Sequence, residues 1–518
     1  MFIKDENFGE IVDFDLLRSQ MRSVYDNAYP EYNLLGAMQE GSRLFNDEPN
    51  YMIAGGASFL AYTMLVAAGE FELAESLKDN IFTLGWTEEH CGTDLLSIRT
   101  QATPLSDDPD EKQFHIKGSK WIINNSYHAD YHMVLAKVDP EQDGPRSLSV
   151  FLVPRSSVVK WERLRTHVLP QMVLTTFDID GPGQLVGKKG HGLSIVQQMA
   201  MPSKYQATYV GARMLKESIT ESIEHLSSKR IFGDNPIHFS NVIRQMYNIA
   251  LQGALVSFTY YRAVALSDSS FLQFYGTMLK SWMLLRANQI LSQNLLVAGS
   301  KGFVRESTIG RNAIDSFVLP VFDGHYTLNT LMTAKQAWHY LSAEKKIDAQ
   351  ERIETLRNRI FLSIPGNQIY AQPKDIRRPE FFDLVDYTKQ LQAPVTIEME
   401  IVVNSTLALL DYLEKENLIA DAEYKYKVGT LLHWIESILA AYDLWYLSGN
   451  DSYLNAIIQQ YNGFVTHYNN VISEGDLEIE FLEFAKQLPL PDSISEDPRG
   501  FLLDLINIEN IVENKLKV

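Results

Sequence analysis

The sequence predicts an α+β protein in which helical blocks stand before and after a domain of short strands. From about residue 14 to 80, apolar residues recur at three- and four-residue spacing, the pattern of helices with one buried face. Between 82 and 186 the pattern changes to short β-branched and aromatic runs separated by polar turns. Helical periodicity returns from 190 onward. Because the elements come in blocks, without β–α–β alternation, the order argues against a Rossmann fold.

These blocks divide the chain into four predicted domains. They are an N-terminal helical domain (1–81), a middle β domain (82–189), a helical domain (190–345) and a C-terminal helical extension (346–518). The predicted strands include runs at 114–117, 133–137, 148–153 and 174–179. The predicted helices after the β domain are 194–227, 241–267, 271–298, 394–415, 422–447 and 452–472.

The composition is that of an acidic globular protein with several domains. The chain has 518 residues, 45% of them hydrophobic, and a net charge of −19. This charge argues against non-specific nucleic-acid binding, although a local cationic pocket for a polyanionic ligand is compatible with it. The single cysteine, Cys91, excludes an intrachain disulfide. The start of the chain has no basic, apolar leader, and the apolar stretch 51–68 contains glycines, so we expect a cytoplasmic protein with a buried helix rather than a membrane span there.

Six short motifs carry the functional signal. They are TEEHCGTD (87–94), GSKWIINN (118–125), VGKKGHG (186–192), KRIFG (229–233), GSKGF (299–303) and VFDGH (321–325). In this order, and on these element types, they resemble the acyl-CoA dehydrogenase superfamily, and the helical extension resembles its larger branch. The resemblance implies a barrel-like middle domain, a four-helix bundle at 190–345, an FAD cofactor and a homodimer or homotetramer.

Several residues acquire cofactor roles through this resemblance. It implies that Thr87, Thr93, Trp121 and the backbone of Ile123 surround the flavin ring, with plain core packing as the alternative for Trp121. Residues from the later motifs would contact FAD, partly from a neighbouring subunit: Lys229, Arg230, Phe232, Gly299, Ser300 and His325. A solvated helix end is the alternative for Lys229 and Arg230. Thr93 and Lys204 would lie near the substrate.

Asp323 is the candidate catalytic base. It occupies the position at which the family has a glutamate, and a base there removes the proton α to a thioester. A second position used for the base in some relatives is Ser203 here, which offers no carboxylate. A turn-capping role is the alternative for Asp323. The resemblance implies α,β-dehydrogenation of an acyl group carried by CoA or by a carrier protein, with an electron-transferring flavoprotein or oxygen as electron acceptor.

The sequence leaves two other functional hypotheses open. The same scaffold serves flavin monooxygenases and DNA-damage-associated relatives, whose chemistry does not need the glutamate, and it also serves oxidases. Alternatively, the changes at motif positions are those of a catalytically degenerate interaction scaffold. A metal site is not expected, because His128 and His132 lack a third ligand of suitable spacing. We interpret Cys91 as a small packed residue.

Overall fold

The computed structural model assigns the chain to two compact units, which are described separately. The first comprises residues 12–210 together with Phe322–Gly324, and the second comprises 211–321, 325–341 and 396–508. The four predicted domain limits stay predictions, and residue 346 lies outside the described residues. The structure describes residues 12–28, 34–45, 48–108, 111–138, 144–169, 174–266, 272–304, 306–341, 396–418, 420–475, 480 and 482–508.

The first unit begins with four helices. They are α1 (Phe14–Tyr25), α2 (Leu34–Phe45), α3 (Pro49–Ala67) and α4 (Phe71–Ser76). The Asp13 carboxylate accepts hydrogen bonds from the first free N–H groups of α1, as an N-cap should. Helix α3 is long and apolar enough to cross a membrane, but 83% of its apolar window is buried in the fold, which is typical of a core helix.

Seven strands follow and form a closed barrel. They are β1 (Phe82–Gly85), β2 (Gln101–Pro104), β3 (Gln113–Ile123), β4 (Tyr131–Lys137), β5 (Leu148–Pro154), β6 (Val158–Arg163) and β7 (Thr175–Val186). The ring runs β4-β2-β3-β7-β5 and closes because β5 also pairs with β4; β1 adds to β4 and β6 to β7. The four predicted strand runs lie in β3, β4, β5 and β7, except that residue 174 immediately precedes β7.

The barrel interior is mainly apolar. Its side chains come from all sides of the ring and include Phe114, Ile116, Ile123, Val134, Phe151, Val153, Phe177 and Ile179. Alternate residues of each strand point inward, so the barrel fixes which motif residues face its outer surface.

The second unit is helical. Helix α5 (Gly192–Ser228) contributes its later part, followed by α6 (Ser240–Leu266), α7 (Leu272–Met278), α8 (Leu284–Ala298), α9 (Thr308–Asp315) and α10 (Tyr326–Leu341). Beyond the gap come α11 (Thr396–Lys415), α12 (Ala422–Ser448), α13 (Ser452–Glu474), α14 (Ser493–Glu496) and α15 (Pro498–Ile506). The run predicted at 271–298 is divided by a π-helical turn, Leu279–Met283, and residues 271, 394 and 395 lie outside the described part.

A buried charge cluster joins the bundle to the extension within this unit. The fully buried Arg262 of α6 donates to Asp443 (2.7 Å) and to Glu436 (2.8 Å), both on α12. Buried ions are tolerated only when paired, so these helices must pack together to form one core. Helix α12 of the extension therefore shares a core with the bundle, and the α+β fold class predicted from the sequence is confirmed.

Candidate functional site

The TEEHCGTD loop and the GSKWIINN strand are held together by a buried ion pair. The carboxylate of Glu88 lies 2.9 Å from the ammonium of Lys120, and the two side chains are 5% and 0% exposed. Glu88 also accepts from the N–H groups of Arg99 and Thr100 and from the Thr100 hydroxyl. Lys120 donates further to the carbonyl oxygens of Trp86 and Leu135. Both charges are therefore compensated, and the pair fixes the loop against the strand.

A β-bulge at the end of β3 turns the strand toward this loop. The pairing with β7 shifts between Lys120 and Ile123, and Ile122 has a positive φ of 54°. The extra residue lets Lys120 and Ile123 both point inward, whereas Ile122 is 43% exposed and Trp121 is half-buried. The N–H of Trp121 donates to the carbonyl of Thr87 at 3.0 Å. The two predicted flavin motifs thus share a backbone contact, and the bulge presents the strand's main chain at the barrel surface.

Polar groups without partners flank this bulge. The indole Nε1 of Trp86 and the side-chain Oδ1 of Asn124 are buried and have no hydrogen-bond partner among the described residues. Buried polar atoms are normally paired, and each unpaired one costs on the order of 1–3 kcal/mol. A donor and an acceptor beside the bulge fit a flat ligand with a polar edge, as the flavin ring is. Thr93 is exposed at the end of the loop, and Ile123 contributes only its backbone, because its side chain lies in the barrel core.

The candidate substrate residue Lys204 is buried on α5. Its side chain is only 4% exposed, and the neighbouring Ser203 hydroxyl donates to the Ala200 carbonyl. The structure therefore places no carboxylate at the alternative base position. Lys204 is a buried cation on the helix that follows the barrel.

Asp323 lies in a tight turn before α10. Its φ is +52° and that of Gly324 is +95°, a backbone conformation that aspartate tolerates better than most residues. Asp323 is half-buried. The next residue, His325, caps α10: its Nδ1 accepts the N–H of Thr327 at 3.3 Å.

The KRIFG motif forms a protruding two-residue turn in the second unit. Ile231 and Asp234 exchange both backbone hydrogen bonds, and the central residues Phe232 and Gly233 have φ values of +53° and +89°. Positive φ at both positions is the requirement of a type I′ turn, and phenylalanine pays a steric penalty there. Its ring is 98% exposed. A strained turn that holds an aromatic ring in solvent is consistent with a contact to another molecule.

The remaining motif residues of the second unit are exposed or half-buried. Arg230 is exposed and Lys229 is half-buried at the end of α5. Gly299 ends α8 with a φ of +65°, and Ser300 follows it in an exposed turn. Large apolar side chains are exposed on the same helices and turns of this unit: Leu296, Phe303, Ile314, Phe317 and Val321. Exposed apolar side chains of this size are available for contact with another chain.

One group of side chains has metal-ligand chemistry. Glu88, His90 and Cys91 have ligand atoms within 4.8 Å of one another. The hydrogen bonds and the ammonium of Lys120 already occupy Glu88, and burial raises the pKa of the Cys91 thiol. A cation would have to compete with Lys120, so we explain the group as part of the loop's packing. His128 stacks on Phe14, and His132 is buried in β4 against the Ser126 carbonyl.

Comparison with known proteins agrees with this geometry. The family model for the acyl-CoA dehydrogenase middle domain matches residues 83–174, which contain both motifs and end just before β7. A solved acyl-CoA dehydrogenase from Bacillus anthracis, complexed with FAD, superposes with a TM-score of 0.68 at 14% identity and covers 98% of this chain and 89% of its own. This is the acyl-CoA dehydrogenase fold. The resemblance to the acyl-CoA dehydrogenase superfamily that the motifs predicted is confirmed.

Two curated relatives of this superfamily have related sequences. Cyclohex-1-ene-1-carbonyl-CoA dehydrogenase of Geobacter metallireducens is 21% identical over 49% of this chain and 67% of its own length. The 3-methylmercaptopropionyl-CoA dehydrogenase of Ruegeria pomeroyi is 23% identical over 47% of each chain. The aligned part thus spans about two thirds of the first acyl-CoA dehydrogenase and about half of the second.

The structure adds site residues that the sequence reading missed. Lys120 was part of a motif but was not recognised as the partner of Glu88, and neither the bulge at Ile122 nor the orphaned Trp86 was foreseen. The sequence did contain one signal for the ion pair: Lys120 occupies a strand position that faces the core, where a lysine is rarely found without a partner of opposite charge. A bulge leaves no comparable signal in a single sequence.

Proposed function

We propose that this protein is an FAD-dependent oxidoreductase that introduces an α,β double bond into an acyl thioester, with acyl-CoA as substrate. The observation that carries the proposal is the joined loop and bulged strand, which hold two flavin motifs in one fixed arrangement. The relatives named above act on CoA thioesters, and the similar solved structure holds FAD, which supports both assignments.

Residues of the first unit would hold the flavin half of FAD. Thr87 and Thr93 offer hydroxyls, the bulge offers the main chain of Ile123, and Trp121 is half-buried beside it. Bound FAD supplies the hydride acceptor for the substrate's β carbon. Asp323 is the base that takes the proton from the α carbon, and its short side chain requires a substrate that approaches the turn closely. Lys204 lies near the thioester in this proposal.

The adenosine half of FAD would be contacted by a second copy of the chain. Lys229 and Arg230 supply positive charge for the pyrophosphate, and Phe232 supplies the apolar contact. Gly299 and Ser300 belong to a turn of the same surface. The exposed apolar side chains of the second unit support a homodimer or homotetramer. We propose an electron-transferring flavoprotein as the electron acceptor and the cytoplasm as the location.

Replacing Phe232 by alanine is expected to weaken FAD retention without destabilising the isolated chain. Its ring is 98% exposed, so the fold loses no packing. Burying a phenylalanine ring against a ligand is worth about 1.5–3 kcal/mol, so FAD affinity should fall about 10- to 150-fold. Fluorescence titration of apoprotein with FAD measures the change. Phe484→Ala, at a ring that is 63% exposed, is the control and should bind FAD normally. Equal affinity of both variants would remove Phe232 from the cofactor site.

Product analysis tests the reaction class. The FAD-loaded protein is incubated with acyl-CoAs of graded chain length and an artificial electron acceptor, and the products are identified by mass spectrometry. We expect an enoyl-CoA that has lost two hydrogens. A hydroxylated product or peroxide formed at the expense of oxygen would instead identify a monooxygenase or an oxidase. The same acyl groups on a carrier protein establish which thioester carrier is used.

A further inference from the structure

Helix α13 carries three asparagines at seven-residue intervals: Asn455, Asn462 and Asn469. Seven residues are close to two turns of an α-helix, so the three side chains share one face. All three contact the irregular segment of residues 482–491, here called the strap, which precedes α14 and α15. We call the three asparagines the ladder.

The ladder binds the strap only through main-chain groups. Asn469 donates to the carbonyl of Leu482 and accepts from its N–H, both at 2.9 Å. Asn462 makes the same pair of bonds with Ala485, at 2.9 and 2.8 Å. Asn455 donates to the Leu488 carbonyl at 3.4 Å and accepts from its N–H at 2.9 Å. Each asparagine amide therefore binds both the N–H and the carbonyl of one strap residue. The bound residues, at 482, 485 and 488, are three positions apart.

The repeat lengths of helix and strap agree. Seven residues of α-helix rise about 10.5 Å. Three residues of a polyproline-II segment rise about 9.3 Å, and three residues of a β-strand rise about 10 Å. The strap runs antiparallel to α13, and its three-residue period matches the ladder. Because the two rises are similar, the ladder can bind only an extended backbone, and it binds that backbone at every third residue.

The strap's side chains contribute little to this contact. Of the three residues that the ladder binds, Leu482 and Ala485 are half-buried and Leu488 is 46% exposed. The residues between the bound positions are exposed: Glu483, Phe484, Lys486 and Gln487. Recognition therefore depends on backbone conformation and on a small or aliphatic residue at every third position, and hardly on the rest of the sequence.

The helix that follows the strap has attachments of its own. Helix α15 packs on α6 through buried side chains including Leu502 and Leu505. The hydroxyl of Tyr453, two residues before the first ladder asparagine, donates to the Leu505 carbonyl at 2.9 Å. Arg499 of α15 pairs with Glu224 of α5 at 2.6 Å. The strap is therefore held between α13 and a helix that is fixed independently of the ladder.

From these contacts we infer that α13 is a binding site for extended peptides, which the chain's own strap occupies. The ligand class is a polypeptide in extended or polyproline-II conformation with a small or aliphatic residue at every third position. When the strap leaves, the ladder amides lose their partners, and unsatisfied amides in part-buried positions favour a new ligand. A second peptide of this chemistry then competes with the strap for the ladder.

A proline exchange at two neighbouring positions tests the cis contact in the full-length protein. Ala485→Pro keeps an extended conformation but removes the N–H that Asn462 accepts. Lys486→Pro, at an exposed residue between two ladder contacts, is the matched control. We expect amide hydrogen exchange of the strap, followed by mass spectrometry, to quicken about tenfold or more in Ala485→Pro and to stay within about twofold of wild type in Lys486→Pro. Equal exchange in both variants would overturn the ladder contact.

Peptide binding tests the receptor role. A fluorescein-labelled peptide of residues 482–491 is added to the full-length Ala485→Pro protein, in which the strap is weakened and the ladder is intact. We expect saturable binding by fluorescence anisotropy, at least tenfold tighter than to wild type, where the strap competes. The same peptide with proline at the position of Ala485 should not bind to this unaltered ladder. Lack of binding by the first peptide, or equal binding of the two, would refute the proposal. Asn462→Ala in the Ala485→Pro background should also abolish binding.

Discussion

Asp323→Asn is expected to slow acyl-CoA dehydrogenation about 100- to 10,000-fold while leaving FAD binding intact. General-base catalysis typically contributes this factor, and an amide cannot accept the α proton. Asparagine tolerates the positive φ of +52° at this position as well as aspartate does, so the turn before α10 should persist. The rate of flavin reduction by acyl-CoA in anaerobic stopped flow measures the effect.

Glu89→Gln provides the matched control for Asp323. Glu89 is an exposed carboxylate of the TEEHCGTD loop, next to the buried Glu88. Its neutralisation should leave the reduction rate within about twofold of wild type, because an exposed group contributes little to a buried reaction. If Asp323→Asn reduces its flavin as fast as Glu89→Gln does, Asp323 is a turn residue and the base lies elsewhere.

Lys120→Met is expected to destabilise the barrel by about 3–5 kcal/mol, the largest stability effect that we predict for a single substitution. The change leaves Glu88 buried without its cation, and the loop loses its attachment to β3. Lys117→Met, three residues earlier on the same strand, removes an exposed pair with Asp180 and should change little. Urea denaturation followed by tryptophan fluorescence compares the variants. Similar midpoints for the two would show that the buried pair does not stabilise the barrel.

Acid should weaken the same pair. Burial by itself raises the pKa of Glu88, but the attraction of Lys120 and the hydrogen bonds from Thr100 and Arg99 outweigh it and hold that pKa below its usual value. A carboxylate with a depressed pKa contributes stability above its unfolded pKa and loses it as the pH falls through the folded value. The wild-type barrel should therefore lose stability below about pH 4. Glu88→Gln should be less stable at neutral pH and flatter over this range, as thermal melts at each pH would show.

Much of the fold follows from patterns that depend only on local sequence. The helical periodicity predicted α5, α6, α12 and α13 to within about two residues at each end. The turn-bounded apolar runs predicted the strands of the barrel ring, because a strand with a buried inner face must alternate or be continuously apolar. The break between α7 and α8 was not predicted, because apolar residues continue through the π-helical turn at Leu279–Met283.

The site was predicted as a set of motifs, and its physical organisation was not. The motif order identified Thr87, Trp121 and Asp323 as candidate site residues. Nothing in the local sequence indicates that Lys120 faces Glu88 or that Ile122 adopts a positive φ. Those features depend on strand register, which is a long-range property. The seven-residue spacing of the ladder asparagines, by contrast, can be seen in the sequence itself. Their role as hydrogen-bond partners of the strap depends on a long-range contact, which only the three-dimensional structure shows.

The absorption spectrum of the purified protein, followed through an anaerobic titration with acyl-CoA, tests the central claim most directly. The account predicts a yellow protein whose released chromophore is FAD and whose visible absorbance bleaches as acyl-CoA is added. A colourless protein that takes up no added FAD would contradict the cofactor assignment and favour a catalytically degenerate scaffold. A yellow protein that no acyl-CoA bleaches, but that consumes oxygen with another reductant, would contradict the dehydrogenase assignment alone.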